Sequence, residues 1–327
     1  MLTRRHVIAL SAAQAVAPAL FIRAGFAQKS AYPDRPVRFV VPVAAGGPTD
    51  LVARMLAEKL SRMWGQKVVV ENKGGAGTNI GNDYVAKSDP DGYTVLFATA
   101  SLAVNASLYR SLSYDAIADF APVSLATTLP YFAFVPNSSK AKSIKELIAL
   151  AKSNPGKMTM ASPGTGSAPH LAAALFMQMA KIEMTHVPYR GAAPAMNDLI
   201  PGRVDCYFGS GALLSNWRSG QLRALATTGA KPDPAAPELP PIAEAGVPGY
   251  EVIGWQAVFV PAKTPREIVK KLSADITTAL ADPPIKDKLA KSGYVAGGSS
   301  PEEMGKLLKA EIDKWSGVIK SVGIKIN

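Results

Sequence analysis

Short apolar runs alternate with stretches of helical period along almost the whole chain. β-Branched and apolar runs bounded by turn residues predict strands at 37–43, 67–71, 94–98, 131–136, 158–161, 184–188, 204–208, 223–227 and 255–260. Between them, apolar positions three and four apart predict helices such as 49–63, 143–153, 168–180 and 193–200. Two more close the chain near 265–281 and 301–321, where Trp315, Val318 and Ile319 mark the packed side. Strand and helix in alternation is the pattern of mostly parallel sheets flanked by helices on both faces. There is no repeat of solenoid period and no low-complexity tract.

Two segments break this rhythm. VSLATTLPYFAFVP, 123–136, is long for one strand and reads as a crossing from one lobe into the next, and RALATTG, 223–229, reads as the return. The expected organisation is therefore α/β with two lobes joined by two crossing strands: 28–125 with 226–327 as the first lobe and 126–225 as the second. A cleft between such lobes is faced by the carboxyl ends of their strands.

Five loops follow strands and face that cleft. In VPVAAGGPTD, 41–50, a strand breaks at Gly46 and Gly47, and a helix opens with Pro48 at its first position and Thr49 and Asp50 in its first turn. Such a turn aims free amides and the positive end of a helix dipole at one point. ENKGGAGTNIG, 71–81, carries Thr78 and Asn79 as polar tips. Thr99 and Ser101 follow the third strand. SPGTGSAPHLAAALF, 162–176, repeats the first turn in the second lobe, with Ser162, Gly164, Thr165 and Gly166, then Ser167 as N-cap and His170 in the first turn. VPYRGAAPA, 187–195, offers Tyr189, Arg190 and the amides around Gly191. Each helix N-terminus contributes roughly 0.3–1 kcal/mol toward an anion, up to about 2 when partly buried. A charge-assisted amide contact adds roughly 1.5–3 kcal/mol, so a handful suffices for micromolar binding.

The composition narrows the partners. The N-terminal MLTRRHVIALSAAQAVAPALFIRAGFAQ has the basic, apolar and small-residue order of an export signal, with a cut ahead of Gln28. Thr3, Arg4 and Arg5 before His6, Val7 and Ile8 also resemble a twin-arginine signal, with the general secretory route as the alternative. The mature chain is expected to be soluble and periplasmic. Its net charge falls from +11 to +8, because residues 1–27 hold three arginines and no acid. That excess is scattered, without the basic runs and neighbouring aromatics that nucleic acid requires, and suits small anions. Cys206 is the one cysteine, in an apolar run that reads as a buried strand. With His170 and His186 the only histidines after export, no metal ligand set is spaced for use. A dinucleotide cofactor is disfavoured because the third glycine after Gly75 and Gly77 falls at Gly81, one residue late. No cofactor is expected.

An enzyme would have to assemble Ser162 or Ser167, His170 and Asp205 or Asp198 into a triad. SPGTGS lacks the strained nucleophile elbow, and Ser167 and His170 read more simply as an N-cap and a first-turn donor.

The motifs VPVAAGGPTDLVAR, VVVENKGGAGTNIG, DPDGYTVLFAT, SPGTGSAPHLA, VPYRGAAPA, GQLRALATT, LPPIAEAGVPGYE and GWQAVFVPAKTP resemble, in order, the tripartite tricarboxylate transporter receptors, also called Bordetella uptake gene proteins. The resemblance spans the mature chain. It implies a monomeric, type II-like Venus-flytrap receptor that closes on a small carboxylate and delivers it to a membrane permease of two subunits, with a sensing partner as the alternative. It places ligand contacts on Ala44–Asp50 (Ala44, Gly46, Gly47, Thr49, Asp50), Thr78, Asn79, Ser101, Ser162–His170 and Tyr189–Ala192 (Tyr189, Gly191, Ala192), with backbone amides and ordered water gripping the carboxylate. Asp205, in the strand after the fifth loop, is a further candidate that is equally open to a structural role. The chain departs from the pattern at Thr78 and Asn79, where a glycine pair is common, at Ala174, where a glutamate is frequent, and over GSGALLSN, 209–216. The acid itself is left open.

Overall fold

All nine expected strands form, together with one that the sequence pattern does not announce. The computed structural model describes residues 32–189 and 191–323. The export signal and Arg190 lie outside the described residues, and from Pro33 onward the chain forms one contact unit.

Strands β1 (Val37–Val41), β2 (Val68–Asn72) and β3 (Thr94–Thr99) are parallel, with β1 between the other two. β4 runs for 17 residues, Phe120–Pro136. β5 (Thr159–Ser162), β6 (Thr185–Pro188) and β7 (Cys206–Ser210) form a second parallel set with β5 at its centre. β8 (Leu222–Thr227), β9 (Ile253–Pro261) and the short β10 (Val295–Ala296) complete the list. Antiparallel pairing is concentrated at β9 and β4. β9 lies between β3 and the first part of β4, whose other edge takes β10. Beyond Pro130 the same strand changes partners and pairs with β7 and β8. One strand thus belongs to both sheets, as its length suggested.

The return differs from the expectation. Leu222–Thr227 stays in the second sheet, along Phe132–Pro136, and the chain re-enters the first sheet only at Ile253. The Ala, Leu and Thr residues of 223–229 fit a pleated strand on either side of a hinge, so their pattern carries no signal of where its partners end. The two crossings are tied by the buried Thr228. Its hydroxyl accepts from Tyr131 N (2.7 Å) and donates to Val252 O (2.7 Å), while its own backbone pairs with Tyr131 O and Val252 N.

Helices α1 (Pro48–Trp64), α2 (Asn79–Ala86), α3 (Ser101–Leu108), α4 (Ile144–Ser153), α5 (Ala168–Ala180) and α6 (Ala192–Leu199) follow the strands. α7 (Leu214–Arg218) and α8 (Ile242–Ala245) are short. α9 (Arg266–Ala281), α10 (Pro283–Lys291) and α11 (Pro301–Val322) form the C-terminal part. In α1, Val52, Leu56 and Leu60 are buried on one stripe, and Gly65 ends the helix in the left-handed conformation. α3 escapes periodicity because Leu102, Ala103 and Val104 are all buried, so it has no polar face to read. α11 starts on a capping box between Ser300 and Glu303 and packs on β4, α3 and α5. Its buried Glu311 accepts from Trp315 Nε1 (2.9 Å) and Trp255 Nε1 (3.3 Å). Cys206 is fully buried, and that burial, helped by Asp205, pushes its thiol up to about 12.

Candidate functional site

The carboxyl ends of β1, β2, β3 and β5 converge on one open cavity of about 780 Å³. Ala44, Gly75, Thr78 and Ser101 line it from the first lobe, and Gly164, Thr165, Gly166 and Ser167 from the second. No Asp, Glu, Lys, Arg or His is among the described residues lining it. A second chamber of about 290 Å³ shares Ser101 with the first and contains Thr49 and Ala168, each in the first turn of a long helix.

The turn after β1 is organised from behind by a carboxylate. Asp50 is 1% exposed, and its Oδ2 accepts from Gly46 N (2.8 Å) and Arg54 Nε (2.9 Å) while Oδ1 accepts from Asn72 Nδ2 (2.9 Å). Burial alone would raise its pKa, but the hydrogen bonds from Arg54, Gly46 and Asn72 outweigh it and hold the carboxyl below its ordinary range. Gly46 sits at φ +81°, which a side chain resists, and Gly47 is the N-cap of α1 with no side-chain cap. Asp50, Gly46 and Gly47 therefore shape the turn, and it is Ala44 and Ala45 that reach the cavity. Thr49 turns to the second chamber, where its Oγ1 accepts from Gln256 Nε2 (3.0 Å).

The loop after β2 is held in an unusual backbone. Gly75, Ala76, Gly77 and Thr78 all have positive φ, at 125°, 45°, 63° and 85°. Non-glycine residues in that region cost of order 1 kcal/mol or more each, so the surroundings must fix them. They do: Asn105 Nδ2 donates to Gly77 O (2.7 Å) and Asn79 Oδ1 (2.8 Å), and Tyr114 Oη donates to the same Asn79 oxygen (2.7 Å). Asn79 is thus a buttress turned away from the cavity, whereas Thr78 lines it.

In the second lobe a neutral cluster does what Asp50 does in the first. Ser162 is fully buried, with its Oγ 2.7 Å from His186 Nε2 and bonded to both Gly164 N and Gly164 O. The His186 ring stacks on His170 at 3.8 Å between centroids, and His170 Nδ1 accepts from Gly166 N (3.1 Å). Burial, with a smaller contribution from His186, lowers the His170 pKa to about 4, and burial lowers that of His186. Ser167 caps α5 and also donates to Gly164 O (2.7 Å). Gly164, Thr165, Gly166 and Ser167 face the cavity; Ser162 and His170 hold them there.

The remaining candidates fall elsewhere. Tyr189 Oη donates to Asp198 Oδ2 (2.7 Å), away from the cleft, and Gly191 N donates to Pro163 O (3.0 Å), so this loop braces the previous one. Ala192 begins α6 and does not line either chamber. Asp205 accepts from Thr159 N and Oγ1 (both 2.8 Å) at the start of β5, four residues' length from the cavity end of that strand. Its role is to pin β5 to the turn before β7. The side chains weighed for a triad are engaged with the protein: Asp198 with Tyr189, Asp205 with Thr159, Ser162 Oγ with His186 and Gly164, and Ser167 Oγ with Gly164 O and His170 N. Among the described residues no group of three His, Cys, Asp or Glu side chains could hold a metal ion, and no helix is long and apolar enough to cross a membrane.

Sequence reasoning missed Asn72, Asn105, Leu108 and Tyr109 in the larger chamber and Tyr131, Trp255 and Tyr294 in the smaller. Gly77 and Gly254 carry traces of them, since a Cβ there would meet Tyr109 Oη and Tyr131 Oη respectively, each at 2.5 Å.

A family model described as the tripartite tricarboxylate transporter family receptor matches residues 52–324. A protein from the tcbD-tcbE intergenic region of Pseudomonas sp. strain P51 is 42% identical over 299 residues, covering 91% of this chain and 89% of its own. Protein BugT of Bordetella pertussis is 36% identical over 298 residues, 90% and 91% of the two chains. Among solved structures, R. palustris Rpa4515 with adipate has 39% identity and a TM-score of 0.78 over 90% of this chain and 99% of that one. MatC from Rhodopseudomonas palustris with bound malate has 31% identity and a TM-score of 0.75 over 88% and 100%.

Proposed function

We propose, from the premise that the chain belongs to the tripartite tricarboxylate transporter receptor family, that it captures a small organic acid between its lobes and delivers it to a membrane permease of two subunits. The family and fold are those of periplasmic substrate-binding receptors. The observation that carries the reading is the lining of the larger chamber: glycine-rich turns from both lobes and no charged side chain among the described residues. An anion there is met by backbone N–H groups, by the Thr78 and Ser101 hydroxyls, and by the N-terminal ends of α3 and α5. The acid is a mono- or dicarboxylate, an amino acid or an aromatic acid, in keeping with adipate and malate in two relatives.

In this reading the lobes exchange at Pro130–Tyr131 and Val252–Ile253, so the second lobe is taken as 131–252 and the first as the remainder of the mature chain. An acid touching Ala44 and Thr78 on one side and Gly164 to Ser167 on the other binds the closed form better than the open one. That differential affinity is what shifts the population. The receptor acts as a monomer in the periplasm after export removes 1–27, and it turns nothing over, because no proton-transferring group faces the acid. A thermal-shift screen of aliphatic, aromatic and amino acids tests the reading. Binding to the native state alone raises the melting temperature, by about 2.7 kcal/mol of added stability at a hundredfold excess over Kd. A screen in which no carboxylate raises it rejects the reading.

A further inference from the structure

Resting on that reading, the geometry points to a monocarboxylate with an aromatic or branched apolar body as the preferred ligand, its body seated in the smaller chamber and its carboxylate at Ser101, where the chambers meet. The smaller chamber lies on the hinge side of the cleft. Leu129, Tyr131, Trp255 and Tyr294 wall it from the first sheet and its crossing, while Ala212 closes it from the 209–216 loop.

Its strongest polar groups are already paired. Trp255 Nε1 donates to Glu311 on the far side of the indole, and Gln256 is spent three ways, accepting from Thr127 and donating to Thr49 and Tyr294. The wall is mostly ring and aliphatic carbon, with the hydroxyls of Thr99, Ser101, Tyr131 and Ser210 set into it.

Charge decides which acid fits. No Lys, Arg or His among the described residues lines the smaller chamber, so a second carboxylate placed there would give up its hydration without a counter-charge. No Asp or Glu lines it either, so the ammonium of an amino acid would be equally unmatched. An uncharged ring suffers neither loss. A dry apolar cavity of about 150 Å³ takes up benzene, and a chamber of about 290 Å³ accommodates a substituted ring or a branched chain.

Titration calorimetry with the mature protein separates this inference from the receptor reading beneath it. The probes are phenylacetate, 4-methylpentanoate, propionate, adipate and malate. We expect phenylacetate and 4-methylpentanoate to bind at least tenfold tighter than adipate or malate. In Ala212→Leu, which fills the chamber from the loop and leaves Ser101 untouched, we expect them to lose at least tenfold while propionate changes less than threefold. If adipate or malate binds as tightly as phenylacetate, or if Ala212→Leu leaves phenylacetate unchanged, the ligand class is wrong and the receptor reading stands. If none of the acids binds, the receptor reading itself fails. Circular dichroism on Ala212→Leu, together with its retained propionate binding, guards against misfolding as the cause of a loss.

Discussion

The two turns that face each other across the cleft present similar surfaces and are held by opposite chemistry. Behind Ala44–Gly47 stands a buried carboxylate with a guanidinium, an amide and a backbone N–H on it. Behind Gly164–Ser167 stand a hydroxyl and two stacked neutral imidazoles. Neither arrangement turns a charged side chain to the cavity. The lesson is that a cleft lined by glycine-rich turns needs a second rank of side chains to fix its backbone, and that this rank can be ionic or neutral. The choice sets how each lobe answers to substitution and to acid.

The largest break should come from Asp50→Ala, which leaves Gly46 N, Arg54 and Asn72 without their acceptor. Arg54 is half exposed and can turn to water, so we expect a loss of roughly 2–4 kcal/mol, read by urea denaturation, together with loss of acid binding. Asp50→Asn, which keeps an acceptor oxygen, should lose less.

Acid should separate the turns. In the unfolded chain His170 takes up its proton near 6.5, but in the fold only near 4. Between those values the unfolded state holds the extra proton, so stability is complete above about 6.5 and declines as the pH falls toward 4. The decline at His170 amounts to up to roughly 3 kcal/mol. Asp50 has its pKa lowered, so its contribution is present above the ordinary 3.8 and is lost only below it. Melting temperatures at pH 7.0, 5.5 and 4.5 should fall in wild type and fall less in His170→Gln. A flat wild-type profile would contradict the assignment.

The caps offer the finest adjustment. α5 has a side-chain cap from Ser167 and α1 has none at Gly47. Ser167→Ala should cost about 1 kcal/mol, and Gly47→Ser, at an unstrained φ of −78° with room for a Cβ, should add a few tenths. Calorimetric melting of the two variants against wild type checks both signs.

The strand and helix order was legible because each lobe repeats a strand, a turn and an amphipathic helix, and the motifs VPVAAGGPTD and SPGTGSAPH announce where amides are free. What the sequence could not disclose was direction. Asp50, Asn79, Ser162, His170, Tyr189 and Asp205 are polar residues in or beside cleft loops, yet each spends its side chain on the protein. A polar residue at a turn reads the same whether it faces a ligand or braces the loop from behind. Tyr131 and Trp255 were hidden for the converse reason: they lie in expected strands, and become cavity wall only because β4 and β9 bring the hinge together, while Tyr294 lies outside every expected element.

That shared strand also governs the order in which the molecule can be completed. β3 and the first part of β4 are joined only through β9, which is made far later, after the whole second lobe. As the chain emerges, the second lobe can pair β4 with β7 and β8, and β5 with β6 and β7, from its own neighbourhood, while β3 and Phe120–Pro130 each keep an open edge with unpaired N–H and C=O groups. Contacts of such long sequence separation slow folding. Closing the first sheet therefore awaits β9, and the strand that closes it brings Trp255 and Gln256 into the cleft at the same moment.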